Sequence, residues 1–211
     1  MFEIEYKGGN GVVISTKKAT LAVDTKLSLD GLNDLAIKDA IELATEERFV
    51  SSNKTAHLQL EGPGDYEVKD FSIRGKAAQR HLDGDATEKL STVYRVEVGD
   101  VVIAILGNIA PKLTEDQLET LGVVDILITP IGGNGYTLDA TSAAGMVRQI
   151  DPRVVVPIHY ADSGLKYEVP QDTLEVFVKE LSAPVETVSK YKVKSAAALP
   201  ESLTVVEIQR S

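Results

Sequence analysis

Hydrophobic positions follow two rhythms along this chain, and the rhythm changes near residue 100. Before it, short apolar runs alternate with polar residues and are separated by glycine turns. Residues 12 to 15 and 19 to 24 flank Thr16-Lys17-Lys18 and predict a hairpin. Residues 67 to 68, 71 to 74 and 93 to 98 continue the pattern, whose alternation suits sheets with one buried face. The spacing over residues 33 to 44 fits either one helix or two short elements.

Beyond residue 100 strands and helices take turns. Residues 101 to 106 are a fully apolar strand. Thr114 with Gln117 forms a capping box that starts a helix through Leu121, and Gly122 ends it. A strand follows over 124 to 129. Asp139 or Thr141 caps a helix running to Ile150, which Pro152 stops. The third strand spans 154 to 158. Pro170 suits a first helical turn, and Leu174, Val176, Phe177 and Leu181 make an apolar stripe. Strands near 185 to 188 and 203 to 208 close the chain, and residues 195 to 200 read as a local loop. No linker, repeat or low-complexity tract interrupts it. The expectation is one domain over residues 1 to 211, of α/β class, with sheets inside and helices outside.

Composition narrows the function. The 211 residues are 43% hydrophobic, enough for a full core. With 22 Lys and Arg against 32 Asp and Glu, the formal net charge is −10, which argues against nucleic acid or anionic membrane as a partner. Lys190, Lys192 and Lys194 alternate and mark a solvated strand edge. The absence of cysteine excludes disulfides, thiolate nucleophiles and Cys-based zinc sites. Met1-Phe2-Glu3 lacks the basic start of a signal peptide, and no apolar run reaches the ~18 residues of a membrane span. A soluble, cytoplasmic protein is expected.

Candidate chemistry concentrates after the strands. Val154-Val155-Val156-Pro157-Ile158-His159-Tyr160 delivers a histidine to the C-terminal end of a buried strand, where α/β proteins place their sites. The chain has three histidines, His57, His81 and His159, so partners for a metal are scarce. Two further strand-end loops carry polar residues: Leu106-Gly107-Asn108, and Gly132-Gly133-Asn134-Gly135-Tyr136-Thr137-Leu138-Asp139. The glycines of the second could cradle a phosphate before a helix, but they lack a Walker or G-x-G-x-x-G pattern. A tight strand-to-helix turn is the plainer reading. Upstream lie Gly62-Pro63-Gly64-Asp65-Tyr66-Glu67 and Arg80-His81-Leu82-Asp83.

In this order the segments resemble the metallo-β-lactamase-fold superfamily, from about Phe2 to about Leu181. The branch they are most similar to is that of ascorbate-6-phosphate lactonase-like and N-acyl-phosphatidylethanolamine phospholipase D-like hydrolases. The resemblance implies a four-layer αββα sandwich with the site on the rim where two sheets meet. In active members, seven ligands hold two metals. His81 and His159 match two of them, while Asn108 stands where a bridging aspartate would. The His-x-His-x-Asp-His run that supplies four should follow residues 41 to 44. With Thr45 as register mark, its positions hold Glu46, Arg48, Val50 and Ser51.

Valine cannot ligate a metal, and arginine carries a permanent charge with no lone pair to donate. The resemblance therefore implies a member that has lost most metal ligands, with no dinuclear pair and with a binding or regulatory role. The cleft candidates are Asp24, Glu46, Arg48, Asn108, Asn134 and Tyr160, and the ligand a small anion. The Arg48 guanidinium either replaces the lost metal charge, pairing with Glu46 or Asp24, or is an exposed arginine on a repurposed loop. Asp24 is expected to be structural and His57 a surface or strand residue. Two alternatives stay open. One is a hydrolase of a phosphoester, ester or lactone with a single zinc or manganese ion on His81, His159 and Glu46. The other is a structural homo-oligomer.

Overall fold

Alternating burial along the first segment, with Phe2, Ile4 and Tyr6 inward, makes β1 (Phe2–Gly8) a strand with one buried face. The structure is a computed structural model and describes residues 1–83 and 90–211. After β1 come β2 (Gly11–Ser15), β3 (Thr20–Val23), β4 (Ile41–Leu43) and β5 (Leu58–Leu60). An antiparallel run follows: β6 (Gly64–Val68), β7 (Phe71–Ala78), β8 (Ser91–Val98) and β9 (Val101–Ile105). The chain then alternates through α1 (Glu115–Leu121), β10 (Ile126–Pro130), α2 (Ala140–Ile150), β11 (Val154–Ile158) and α3 (Leu174–Leu181). It closes with β12 (Val185–Val188), β13 (Tyr191–Val193) and β14 (Thr204–Ile208).

These strands form two sheets, in the orders β13-β1-β2-β3-β4-β5 and β12-β14-β11-β10-β9-β8-β7-β6. The expected hairpin is β2 with β3, in the register Val12↔Val23 to Ser15↔Thr20. Lys192 lies on β13, the edge strand beside β1, as the alternating lysines suggested. One core fills the space between the sheets, with Ile4, Ile14, Leu21, Ile103, Ile128 and Val156 among its side chains. Burying one such side chain contributes roughly 1.5–3 kcal/mol. A second core, including Leu127, Val155, Val147 and Phe177, joins the eight-stranded sheet to the three helices. The result is an α/β sandwich of two sheets with an outer helical layer. Among the described residues, no helix is long and apolar enough to cross a membrane.

The outer face of the six-stranded sheet is covered differently. The two links joining the parallel strands β3, β4 and β5 hold 3-10 turns at Leu27–Asp30 and Glu47–Phe49. They are fastened through Glu42, whose carboxylate accepts from Thr25, Ser51, Asn53 and Gln59. The ambiguous stretch over residues 33 to 44 is thus loop ending in β4, which carries Glu42 outward between the inward Ile41 and Leu43. These same links carry Asp30, Glu46 and Arg48 to the rim.

Candidate functional site

Strand ends from both sheets meet at one rim. Thr45, after β4, donates from its amide and hydroxyl to the two carboxylate oxygens of Asp24, after β3, at 2.7 Å each. The Thr45 carbonyl accepts from the Thr92 amide across the sandwich, and its side chain fills the space beside Gly107. Asn108 then accepts from the His81 amide at 2.8 Å through its carbonyl. On the other side of the rim, the His159 amide donates to the Gly9 carbonyl at 2.9 Å. Asp24 and His159 both lie in the left-handed region, at φ 48° and 50°. Such backbone costs roughly 1–3 kcal/mol and gathers at functional sites.

A column of flat groups fills the middle. The Arg48 guanidinium carbon lies 4.7 Å from the Phe49 ring centroid and 4.9 Å from that of Tyr136. Tyr136 stacks on His159 with centroids 5.3 Å apart and planes 6° apart. Tyr167 meets His159 at 4.8 Å, tilted by 50°. Arg48 Nε lies 2.9 Å from Glu46 Oε2, and Arg80 approaches the same oxygen at 3.6 Å. The closer contact lacks hydrogen-bond alignment, so its attraction is chiefly Coulombic. Arg48, Arg80, Glu46, Glu47 and Leu90 line an open cleft of about 390 Å³.

Burial sets the charge states. His159 is 2% exposed, and burial, aided by the Arg48 charge, pushes its pKa down to about 3. It is a neutral imidazole near pH 7, with neither ring nitrogen hydrogen-bonded. Burial pushes Asp24 up to about 8, against the two Thr45 hydrogen bonds that favour its anion. Glu46 is also raised by burial, with Arg48 and Arg80 opposing. Burial lifts Asp30 to about 6. Other buried polar atoms here lack partners: the amides of Asn10 and Asn108, His81 Nδ1, Thr137 Oγ1 and Gln171 Oε1. Such clustering is rare in packed interiors and marks places where solvent or a ligand completes the bonding.

Of the residues singled out from sequence, Glu46 and Arg48 are brought together against the Tyr136–His159 stack, and His81 and Asn108 adjoin through the backbone. Arg48 is partly exposed yet held between rings, so it is not a freely solvated loop arginine. Asn134 is exposed, at φ 56°, where its amide nitrogen donates to the Gly132 carbonyl in the turn before α2. Tyr160 stacks on Tyr6 at 5.9 Å and packs with both cores. Ser51 donates to Glu42, away from the rim. His57 is exposed beside Asp39. Sequence reasoning passed over Asn10, Asp30, Tyr167, Glu168 and Gln171, and named Tyr136 only as part of its loop. Two glycines were the available signal. A Cβ on Gly9 would stand 1.9 Å from Asp30 Oδ2, and one on Gly132 would stand 2.1 Å from Gln171 Oε1.

Among the described residues, the donor set at the rim does not fit a cation centre. Among the described residues, no three His, Asp or Glu side chains form a group able to hold a metal ion. Glu46, His81 and His159 are not gathered into such a group. Glu46 faces two guanidinium groups, and a fixed positive charge stands beside His159. A metal ion there would meet that charge at close range.

The family model described as "Beta-lactamase superfamily domain" matches residues 3–159. A UPF0173 protein of Pyrococcus abyssi is 36% identical over 153 residues, covering 70% of this chain and 62% of the relative. A UPF0173 protein of Pyrococcus furiosus is 29% identical over 140 residues, covering 63% and 61%. The chain thus spans about three-fifths of the length of both curated relatives. Among solved structures, a metallo-beta-lactamase superfamily protein of Thermotoga maritima, described as a Zn-dependent hydrolase, superposes with a TM-score of 0.75. That match covers 99% of this chain and 100% of the other at 17% identity, and it shows a shared fold.

Proposed function

This chain belongs to the beta-lactamase superfamily domain family, and from that premise we propose that its rim site receives a small anionic ligand instead of housing a pair of catalytic metals. One observation carries the proposal. The Arg48 guanidinium, paired with Glu46 and packed on Tyr136 beside neutral His159, supplies the positive charge of the centre. Arginine stays charged at any working pH, and its planar fork matches carboxylate and phosphate oxygens. Arg80 adds a second guanidinium on the same cleft. Glu46 is the internal anion, and burial makes its charged form costly. An incoming anion therefore competes with a destabilised carboxylate. The cleft, about 390 Å³, is of small-molecule size.

Elemental analysis of protein purified with zinc or manganese, together with calorimetric titration of inorganic phosphate, tests this reading. Phosphate is expected to bind, with affinity falling at least about tenfold in Arg48→Ala, a loss of about 1.4 kcal/mol. Two metals per chain would overturn the proposal.

A second reading is a hydrolase with a remodelled site, favoured by the unpartnered nitrogens of a neutral, buried His159. Such an imidazole can accept a hydrogen bond from a bound nucleophile and orient it. Hydrolysis of a phosphoester, ester or lactone that disappears in His159→Ala would favour it over pure binding.

A further inference from the structure

Behind Tyr136 lies a second, small and partly open pocket of about 10 Å³, the scale of one water molecule or one ammonium head. Asp30, Tyr136, His159, Tyr167, Glu168 and Gln171 line it. What these groups offer is lopsided. Gln171 gives its amide hydrogen to the Val169 carbonyl, leaving Oε1 buried without a partner. Tyr167 gives its hydroxyl hydrogen to the Tyr160 carbonyl. His159, buried and neutral, has at least one lone-pair nitrogen, and neither nitrogen has a partner. Asp30 and Glu168 add two carboxylates, and the faces of two tyrosine rings complete the wall. Acceptors and ring faces dominate, and the space matches an ammonium head group. The Arg48 charge also reaches this region, but it is offset by Glu46 at 2.9 Å.

We propose that this pocket takes a protonated primary amine. The amine would donate to Asp30, Gln171 and His159 and lie against the Tyr136 and Tyr167 rings, gaining charge-assisted hydrogen bonds and cation–π attraction. Burial leaves Asp30 without a full counter-charge, with its pKa lifted to about 6, so a cation at this place relieves an existing cost. The two close glycines fit the same picture. Gly9 leaves the room that the Asp30 carboxylate occupies, and Gly132 does the same for Gln171. The pocket shares no lining residue with the Arg48 cleft, so the amine proposal does not rest on the reading of the preceding section.

Titration with methylammonium chloride, monitored by the His159 imidazole nitrogen resonances, tests the cavity. Saturable shifts are expected that sodium chloride at equal ionic strength does not cause. Asp30→Asn and Glu168→Gln should each weaken the response about tenfold. Glu168 is exposed, so its variant reports even if a change at Asp30 disturbs folding. Equal responses to methylammonium and sodium would overturn the amine cavity. Failure of phosphate alone would overturn only the anion reading.

Discussion

At the scale of single residues, Arg48 decides the character of the rim. Its guanidinium is shared among one carboxylate and two rings. Lysine keeps the charge but loses the planar fork and much of the stacking, worth about 0.5–2 kcal/mol on an aromatic face. Arg48→Lys should therefore weaken phosphate binding about tenfold with little loss of fold. Glu46→Gln should act oppositely. It removes the internal anion, so phosphate affinity should rise severalfold, as a calorimetric titration of the two variants side by side would reveal. Equal affinities in wild type and Glu46→Gln would mean that Glu46 does not compete. Arg48 and His159 could be singled out from sequence because each stands at a position the resemblance marks. The residues behind Tyr136 could not. Asp30 lies in the link after β3, while Glu168 and Gln171 share the loop before α3; the close approaches at Gly9 and Gly132 help to seat these groups, and no local spacing announces such a meeting.

At the scale of elements, capping and close approach determine how well the loop after β10 holds its place. Asp139 caps α2 by accepting from the Ser142 amide at 2.7 Å. Asp139→Ala should cost ~1 kcal/mol of stability in urea unfolding. Gly132→Ala should cost more, about 1–3 kcal/mol, because its Cβ would stand 2.4 Å from the His159 carbonyl oxygen, a backbone atom with little freedom to retreat. A smaller loss for Gly132→Ala than for Asp139→Ala would show that the loop relaxes and that the close approach is not needed. Elements of this half were readable in advance for the same reason. Thr114 with Gln117 forms the reciprocal box foreseen, and Asp139, not Thr141, caps α2. Pro170 falls short of α3, whose N-cap is Thr173. The region from Asp24 to residue 57 resisted reading. Its one strand, β4, is three residues long between irregular links, too short for alternation to signal. Glu42 at its centre looks like an exposed acid in sequence, yet it is 4% exposed because four side chains donate to it.

At the scale of the whole molecule, the buried acids of the rim couple site and stability. Asp24 holds its proton up to about pH 8 in the folded state, against 3.8 in the unfolded chain. The native state binds the extra proton between those values, so stability is fully present below pH 3.8 and declines as pH rises toward 8. Asp30 acts in the same direction, but only up to about pH 6. His159 acts oppositely. Its pKa is lowered from 6.5 to about 3, so its contribution is lost as pH falls below 6.5. Between pH 6.5 and 8 the Asp24 carboxyl alone among these three remains active, with a slope of at most about 1.4 kcal/mol per pH unit. Asn in its place tolerates the left-handed backbone at φ 48°. It can also accept from the Thr45 amide and donate to the Thr45 hydroxyl. Asp24→Asn should therefore flatten urea-measured stability between pH 6.5 and 8, where the wild type declines. A variant that still declines across that window would assign the lost stability to another group, and the carboxyl joining the ends of β3 and β4 would be ionised in the native state.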